Sequence, residues 1–204
     1  MTRISTTTRR PAHDCAEELA RGSIVVLVDS DTGEAELVAA ARTITRDAVA
    51  FMVRHGTGFI RAAMTGAACN RLRLPAMWHP DGSAARSEYA VSVDAAHGVS
   101  TGISAGDRAR TLRLLGDPAT PPDALTRPGH VVPVRVRPRR RRGAPAAAVA
   151  LCRIADITEC AAMAGVVSPC DPLRMARGPE ARSFAERYGL AVVSSADAVA
   201  AGSR

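Results

Sequence analysis

The chain has 204 residues, 47% of them hydrophobic and only 3% aromatic, which suits one compact domain with a core of Ala, Val, Leu and Ile. Its net charge is +7 and all 27 basic residues are arginine, a balance that fits a phosphorylated substrate, a nucleic acid or neither; the absence of lysine reads either as a GC-rich coding sequence or as a preference for bidentate anion binding. Five cysteines without a C-x-x-C pair argue against a disulfide framework or zinc knuckle and for reduced thiols in the cytoplasm, no apolar run reaches membrane-spanning length, and the polar start to Pro11 lacks the apolar stretch of a secretory signal.

In chain order, residues 1–12 read as a disordered tail and 13–204 as one domain, with a first short helix over 14–21. The run Ser23 to Asp29 is continuously apolar between polar ends, as in a buried strand, and Asp29 to Glu36 reads as an acidic loop at its carboxyl end. Helical spacing over 46–54 stops at His55-Gly56, a strand follows over 57–64 and a helix over 66–74. Alternation over 88–94 predicts a strand, 105–115 a helix closed by Gly116, and Pro121-Pro122 a turn or short helix. Alternation returns over 130–136, where Pro133 places the strand at an edge or bulge. The remainder reads as a basic loop over 139–143, a helix over 146–155, a strand over 161–167, a helix over 179–188 ended by Gly189, a strand over 190–193 and a helix over 195–200. Interleaved strands and helices give an α/β, mixed α+β, class.

Four segments, in order, carry a resemblance to a known family: Arg54-His-Gly-Thr-Gly58, Ser104-Ala-Gly-Asp-Arg-Ala-Arg-Thr111, Arg127-Pro-Gly-His-Val131, and the closing set Met175-Ala-Arg177, Phe184-Ala and Tyr188-Gly-Leu190. Together they resemble 3,4-dihydroxy-2-butanone 4-phosphate synthase. The resemblance implies a compact α/β fold and a homodimer with sites near the subunit interface. It also implies a reaction in which ribulose 5-phosphate loses C4 as formate through enolisation, dehydration and skeletal rearrangement. Such chemistry calls on a divalent cation, magnesium or manganese, and on carboxylates that move protons.

The family's acidic loop corresponds here to Val28-Asp-Ser-Asp-Thr-Gly-Glu-Ala-Glu36, one residue shorter. Its Arg falls on Thr32 and its metal-binding Glu on Gly33, leaving Glu34 and Glu36 as the candidate catalytic acids. A family R-G-G-H-T-E segment corresponds to Arg141-Arg-Gly-Ala-Pro-Ala146, so its His falls on Ala144; a late-strand Glu falls near Gly165, and a Cys on Arg61. Arg141 and Arg142 align with the family's phosphate loop, and Ser87 stands where the family has a Thr close to the substrate. His55 and His130 read either as turn or interface histidines or as walls of the pocket. Asp107 and Arg108 read either as an ion pair at a helix start or as organisers of the pocket or dimer, with Thr111 closing the same motif.

These replacements predict a diverged relative that has lost the metal-dependent reaction and binds no metal. It would hold a sugar phosphate or similar anion through Arg141, Arg142, Ser87, His130, Asp107 and Thr111, or run altered chemistry in specialised metabolism. The alternatives are a working synthase with rearranged ligands and magnesium or manganese, and an arginine-driven nucleic-acid binder. The last is disfavoured because the run 135–142 lacks a helical stripe or interleaved aromatics.

Overall fold

The computed structural model describes residues 11–78, 88–137 and 143–203. The tail over 1–10, Ser87, Arg141 and Arg142 therefore lie outside the described residues. A seven-stranded sheet forms the middle layer. Its strands are β1 (Val25–Val28), β2 (Ala35–Ala40), β3 (Arg61–Thr65), β4 (Val93–Ala95), β5 (Leu125–Val136), β6 (Cys160–Gly165) and β7 (Ala191–Ser194). The helices are α1 (Ala12–Ala20), α2 (Arg46–His55), α3 (Gly66–Arg71), α4 (Ala105–Gly116), α5 (Ala144–Ile154), α6 (Pro179–Tyr188) and α7 (Ser195–Ala201). The expected mixed α/β single domain is what forms.

Strand order is β4-β5-β3-β6-β2-β1-β7, with parallel pairs β3/β5 and β1/β7 and antiparallel pairs elsewhere. Both faces are covered, so the central strands are apolar throughout. In β6, Cys160, Ala162 and Ala164 point into one core with Val49, Met52, Leu112 and Leu115, while Ala161 and Met163 point into a second with Leu19, Val149 and Leu151. Alanine at so many sheet positions lets α5 lie close on β3 and β6, and each fully buried Leu or Val contributes about 1.5–3 kcal/mol. Four helix starts carry side-chain caps: Thr45, Thr65, Ser104 and Ser194 accept from the backbone N–H three residues on. Gly189 closes α6 in the left-handed conformation at φ 65°.

Three expectations change. The stretch after Asp29 is a tight hairpin turn, not an open loop through Glu36: Asp29 N–H donates to Glu34 O at 2.8 Å, and β2 begins at Ala35 opposite Val28. The strand expected over 88–94 contracts to Val93–Ala95, with only isolated bridges at Tyr89 and Ala90. Finally, β5 is long and interior, and Pro133 sits beside Ala62 of β3 rather than at an edge. Its missing N–H faces the irregular stretch 88–90, where Pro133 O accepts from Ala90 N–H at 2.9 Å, so no regular ladder bond is lost. Among the described residues no helix is long and apolar enough to cross a membrane.

Candidate active site

One end of the sheet gathers the acids. Asp29, buried at the tip of β1, accepts from Asp31 N–H at 2.8 Å and Thr32 N–H at 3.0 Å through Oδ1, and from Ala144 N–H at 2.8 Å through Oδ2. The same carboxylate therefore folds the hairpin turn and caps α5, whose own N-cap, Gly143, has no side chain to do so. Ser30 is clasped by α7 through Ser30 N–H to Ser195 Oγ at 2.9 Å and Ala196 N–H to Ser30 Oγ at 3.1 Å.

Glu36 and Arg61 meet above β6. Glu36 on β2 pairs with Gly165, and Arg61 on β3 pairs with Met163, so the two side chains share the face that carries α5. Gly165 puts no side chain between them: a Cβ there would come 3.9 Å from Glu36 Oε2 and 2.5 Å from the Met175 methyl. Arg61 Nη2 therefore reaches across β6 and donates to both Glu36 oxygens at 2.5 Å, with the side chains only 13% and 14% exposed. Burial pushes the Glu36 carboxyl upward, with Arg61 pulling the other way. Burial opposes the charge of Arg61 as well, but Glu36 and a hydrogen bond with Tyr89 outweigh it, and the guanidinium stays charged. Arg61 Nε is buried without a partner. Glu34, the other candidate acid, sits half-exposed on the turn and accepts from Arg177 Nη2 at 2.5 Å.

His130 forms a dyad with Asp94. The imidazole Nδ1 lies 2.7 Å from Asp94 Oδ2, and His130 N–H donates to Asp94 Oδ1 at 3.0 Å. A carboxylate only accepts, so Nδ1 carries the hydrogen and Nε2 is left to accept a proton from elsewhere. The ring is 40% exposed, whereas Asp94 is buried. Gly102, at φ +88°, makes room: a Cβ there would lie 2.1 Å from Asp94 Oδ2 and 2.9 Å from His130 Nδ1. Val132, two residues on from His130 in β5, is the register partner of Arg61, so the dyad and the Glu36–Arg61 pair lie on neighbouring strands. Behind them, buried Arg108 donates to Gly58 O at 2.8 Å and leaves its Nε unpartnered.

Two expected ligand groups make contacts within the fold. Thr111 is fully buried, its hydroxyl donating to Asp107 O at 3.1 Å and accepting from Ala95 N–H at 2.9 Å, which makes it a strut between α4 and β4. Asp107 does not turn to Arg108. Its Oδ2 gathers Ser100 Oγ at 2.8 Å and the N–H groups of Ser100 and Gly102 at 3.2 Å, and the Ser100 hydroxyl foremost draws its pKa down. It thus holds the loop that shapes Gly102. His55 packs between Phe51 and Tyr188, its Nδ1 3.1 Å from the Tyr188 hydroxyl. Asp94 and Arg61 were not singled out as site residues from the sequence. The signal for Arg61 was a lone charge opening the apolar run Arg61-Ala-Ala-Met; Asp94 offered only a carboxylate closing a strand. A cavity of about 780 Å³ opens at the other end of β3 between Arg135, Arg137 and Arg153, with Tyr89 on its wall.

The fold and site define a three-layered α/β domain with an acidic hairpin turn, a buried Glu–Arg pair and a His–Asp dyad. The chain belongs to the 3,4-dihydroxy-2-butanone 4-phosphate synthase family, whose model matches residues 13–201. It is 43% identical over 205 residues to riboflavin biosynthesis protein RibBA of Nocardia farcinica, covering 98% of this chain and 48% of that protein. Against its counterpart from Rhodococcus jostii it is 43% identical over 188 residues, 90% of this chain and 45% of the relative. The chain thus spans about half the length of the curated relatives it matches. A solved 3,4-dihydroxy-2-butanone 4-phosphate synthase in complex with two magnesium ions superposes with a TM-score of 0.84 at 38% identity, covering 94% of this chain and 95% of that one.

These matches overturn the expectation of a relative that has lost its reaction. Identity of 43% runs through nearly the whole chain to proteins named for riboflavin biosynthesis, and nothing in the matches sets this chain apart as a degraded member. The donor set nevertheless does not fit a magnesium or manganese ion. Among the described residues no group of three or more His, Cys, Asp or Glu side chains is placed to hold a metal. Glu36 has both oxygens on Arg61, Asp29 has both on backbone N–H groups, and Glu34 has one on Arg177. A hard cation wants about six oxygen ligands, and a guanidinium already occupies the buried carboxylate.

Proposed function

We propose that this chain is a working synthase that converts ribulose 5-phosphate to 3,4-dihydroxy-2-butanone 4-phosphate and formate, in riboflavin biosynthesis. The observation that carries the reading is the pairing, on one end of the sheet, of a fixed positive charge with a proton acceptor: Arg61 held by Glu36, and His130 held by Asp94. Enolisation removes a proton from carbon and leaves negative charge on the neighbouring oxygens. His130 Nε2 is the open proton acceptor, and Asp94 stabilises the imidazolium that forms. Glu34, near the surface on the turn, is the second group that exchanges protons with water during dehydration, while Glu36 fixes Arg61. The product and formate together account for all the atoms of the substrate, so the overall reaction consumes nothing else.

The same reading makes the chain a homodimer acting in the cytoplasm. Exposed Phe59, Met77, Trp78 and Ile103 support it, being apolar groups that a subunit interface would cover, as do five free thiols. Genetic complementation tests the reaction: in a bacterium deleted for its own dihydroxybutanone phosphate synthase, soluble expression of this chain restores growth without added riboflavin. Continued auxotrophy with the protein present in the soluble fraction refutes it.

A further inference from the structure

We propose that Asp107 is a positioning residue for the His130–Asp94 dyad: it ties down the turn over 100–102, and Gly102 of that turn roofs the hydrogen bond between the imidazole and the carboxylate. The inference rests on the synthase reading for what His130 does, and on the structure for how His130 is held.

Three observations converge. First, backbone closes on the dyad from two sides. A Cβ on Gly102 would lie 2.1 Å from Asp94 Oδ2 and 2.9 Å from His130 Nδ1, so the main chain of Gly102 lies against the very bond that joins them. A Cβ on Gly129 would lie 2.1 Å from the Val93 carbonyl carbon and 2.3 Å from the Asp94 nitrogen, so β5 packs directly on the backbone that carries the carboxylate. Second, the Gly102 side is tied down by one oxygen. Gly102 stands at φ +88°, a conformation that glycine adopts readily and other residues do not. Asp107 Oδ2 accepts from the N–H groups of Gly102 and Ser100, both at 3.2 Å, and from Ser100 Oγ at 2.8 Å. These bonds to a carboxylate are charge-assisted, and they fix both ends of the turn. Third, Asp107 is itself anchored. Its N–H donates to Ser104 Oγ at 3.0 Å, the cap of α4, so its side chain is set by the first turn of a twelve-residue helix. Contacts therefore run from α4 through Asp107 and Gly102 to the dyad. The consequence is chemical. Nδ1 must keep its hydrogen on Asp94 for Nε2 to remain the proton acceptor. Water at Oδ2 would compete for that hydrogen and let the ring change tautomer. A roof of backbone excludes this water, while the imidazole stays partly open to solvent.

The test reads the imidazole itself. Nitrogen NMR of the purified full chain in mildly alkaline buffer, with His130→Gln identifying the signal, is expected to find the His130 hydrogen on Nδ1 and slow to exchange with water. Asp107→Ala is expected to speed that exchange at least about tenfold and to mix the tautomers. Asp107→Asn, which keeps an acceptor oxygen, should recover most of the parent's behaviour. Gly102→Ala, which leaves Asp107 in place and forces a Cβ onto the dyad, should reproduce the loss. Ser104 still caps α4 in Asp107→Ala, and urea unfolding checks that the variant is folded. Should it not fold, Ser100→Ala removes one of the three bonds from an exposed residue and is expected to give the same signature in smaller measure. The parent's tautomer and exchange rate in folded Asp107→Ala, or failing that in Ser100→Ala, overturn the proposal, as does a parent whose His130 carries its hydrogen on Nε2. Formate release is the separate readout, with kcat expected to fall about tenfold or more in Asp107→Ala while KM changes less than about twofold. If the parent releases no formate but Asp107→Ala still loosens the Nδ1 hydrogen, the positioning role stands and the synthase reading falls. If the parent releases formate and Asp107→Ala matches its kcat, the reading stands and the inference falls.

Discussion

At the scale of single residues, Arg61 and Glu36 show how a charge can be made fixed rather than merely present. Each costs several kcal/mol to bury alone, and together they recover that cost only through short, two-oxygen contact. Arg61→Ala is therefore expected to destabilise the fold by about 3–5 kcal/mol. The paired replacement Arg61→Met with Glu36→Gln should lie within about 1 kcal/mol of the parent in urea unfolding, since volume is kept and no charge is stranded. Equal losses in the two variants would mean that the site is held by something other than this pair.

His55 gives a prediction of pH dependence. Burial lowers its pKa below 6.5, with Arg54 and Arg187 adding to the effect. Between the folded value and 6.5 the unfolded chain binds more protons, so stability is fully present above that window and falls as pH drops through it. Titration of the ring proton by NMR should give a midpoint below 6.5, and a Tyr188→Phe variant should keep most of the shift because burial leads it. A midpoint at or above 6.5 contradicts this. The thiols are the opposite case: burial pushes Cys69 up to about 11 and Cys152 up to about 12, so they stay protonated and inert.

At the scale of elements, α5 depends on a cap supplied from a distance. Asp29→Ala removes the acceptor of Ala144 N–H and of two turn N–H groups together, and should cost about 2 kcal/mol or more. Asp29→Asn, which keeps an acceptor but not the charge, should cost less. Indistinguishable unfolding midpoints for parent and Asp29→Ala would show that water caps the helix as well. Much of the element list was legible, because Gly56 and Gly189 mark helix stops and because the apolar run after Ser23 can only be buried. What escaped was β2, since Ala35-Glu-Leu-Val-Ala-Ala has weak strand propensity and is a strand only because β1 and β6 flank it. Pro133 misled for the same reason: whether its missing N–H matters depends on which neighbour it faces.

At the scale of the whole molecule, the family was legible from four short motifs, whereas the site was legible only in part: Glu34, Glu36 and His130 were named, but their groupings with Arg61 and Asp94 were not, because these residues come from β2, β3, β4 and β5. Taken one position at a time, Ala144 and Gly165 count as losses; only the register of β2, β6 and β3 shows that Gly165 lies beside Glu36, on the strand between it and Arg61. The exposed Phe59, Met77, Trp78 and Ile103 predict a dimer, and light scattering at micromolar concentration should give twice the 21.3 kDa of one chain. A monomer at that concentration contradicts the assembly. The conversion itself is tested by isotope tracing. Ribulose 5-phosphate labelled with carbon-13 at C4 is given to the purified chain, and the products are followed by carbon NMR. The label is expected in formate, matched mole for mole by unlabelled dihydroxybutanone phosphate; label retained in the sugar phosphate, or formate no faster than in buffer alone, would rule the conversion out.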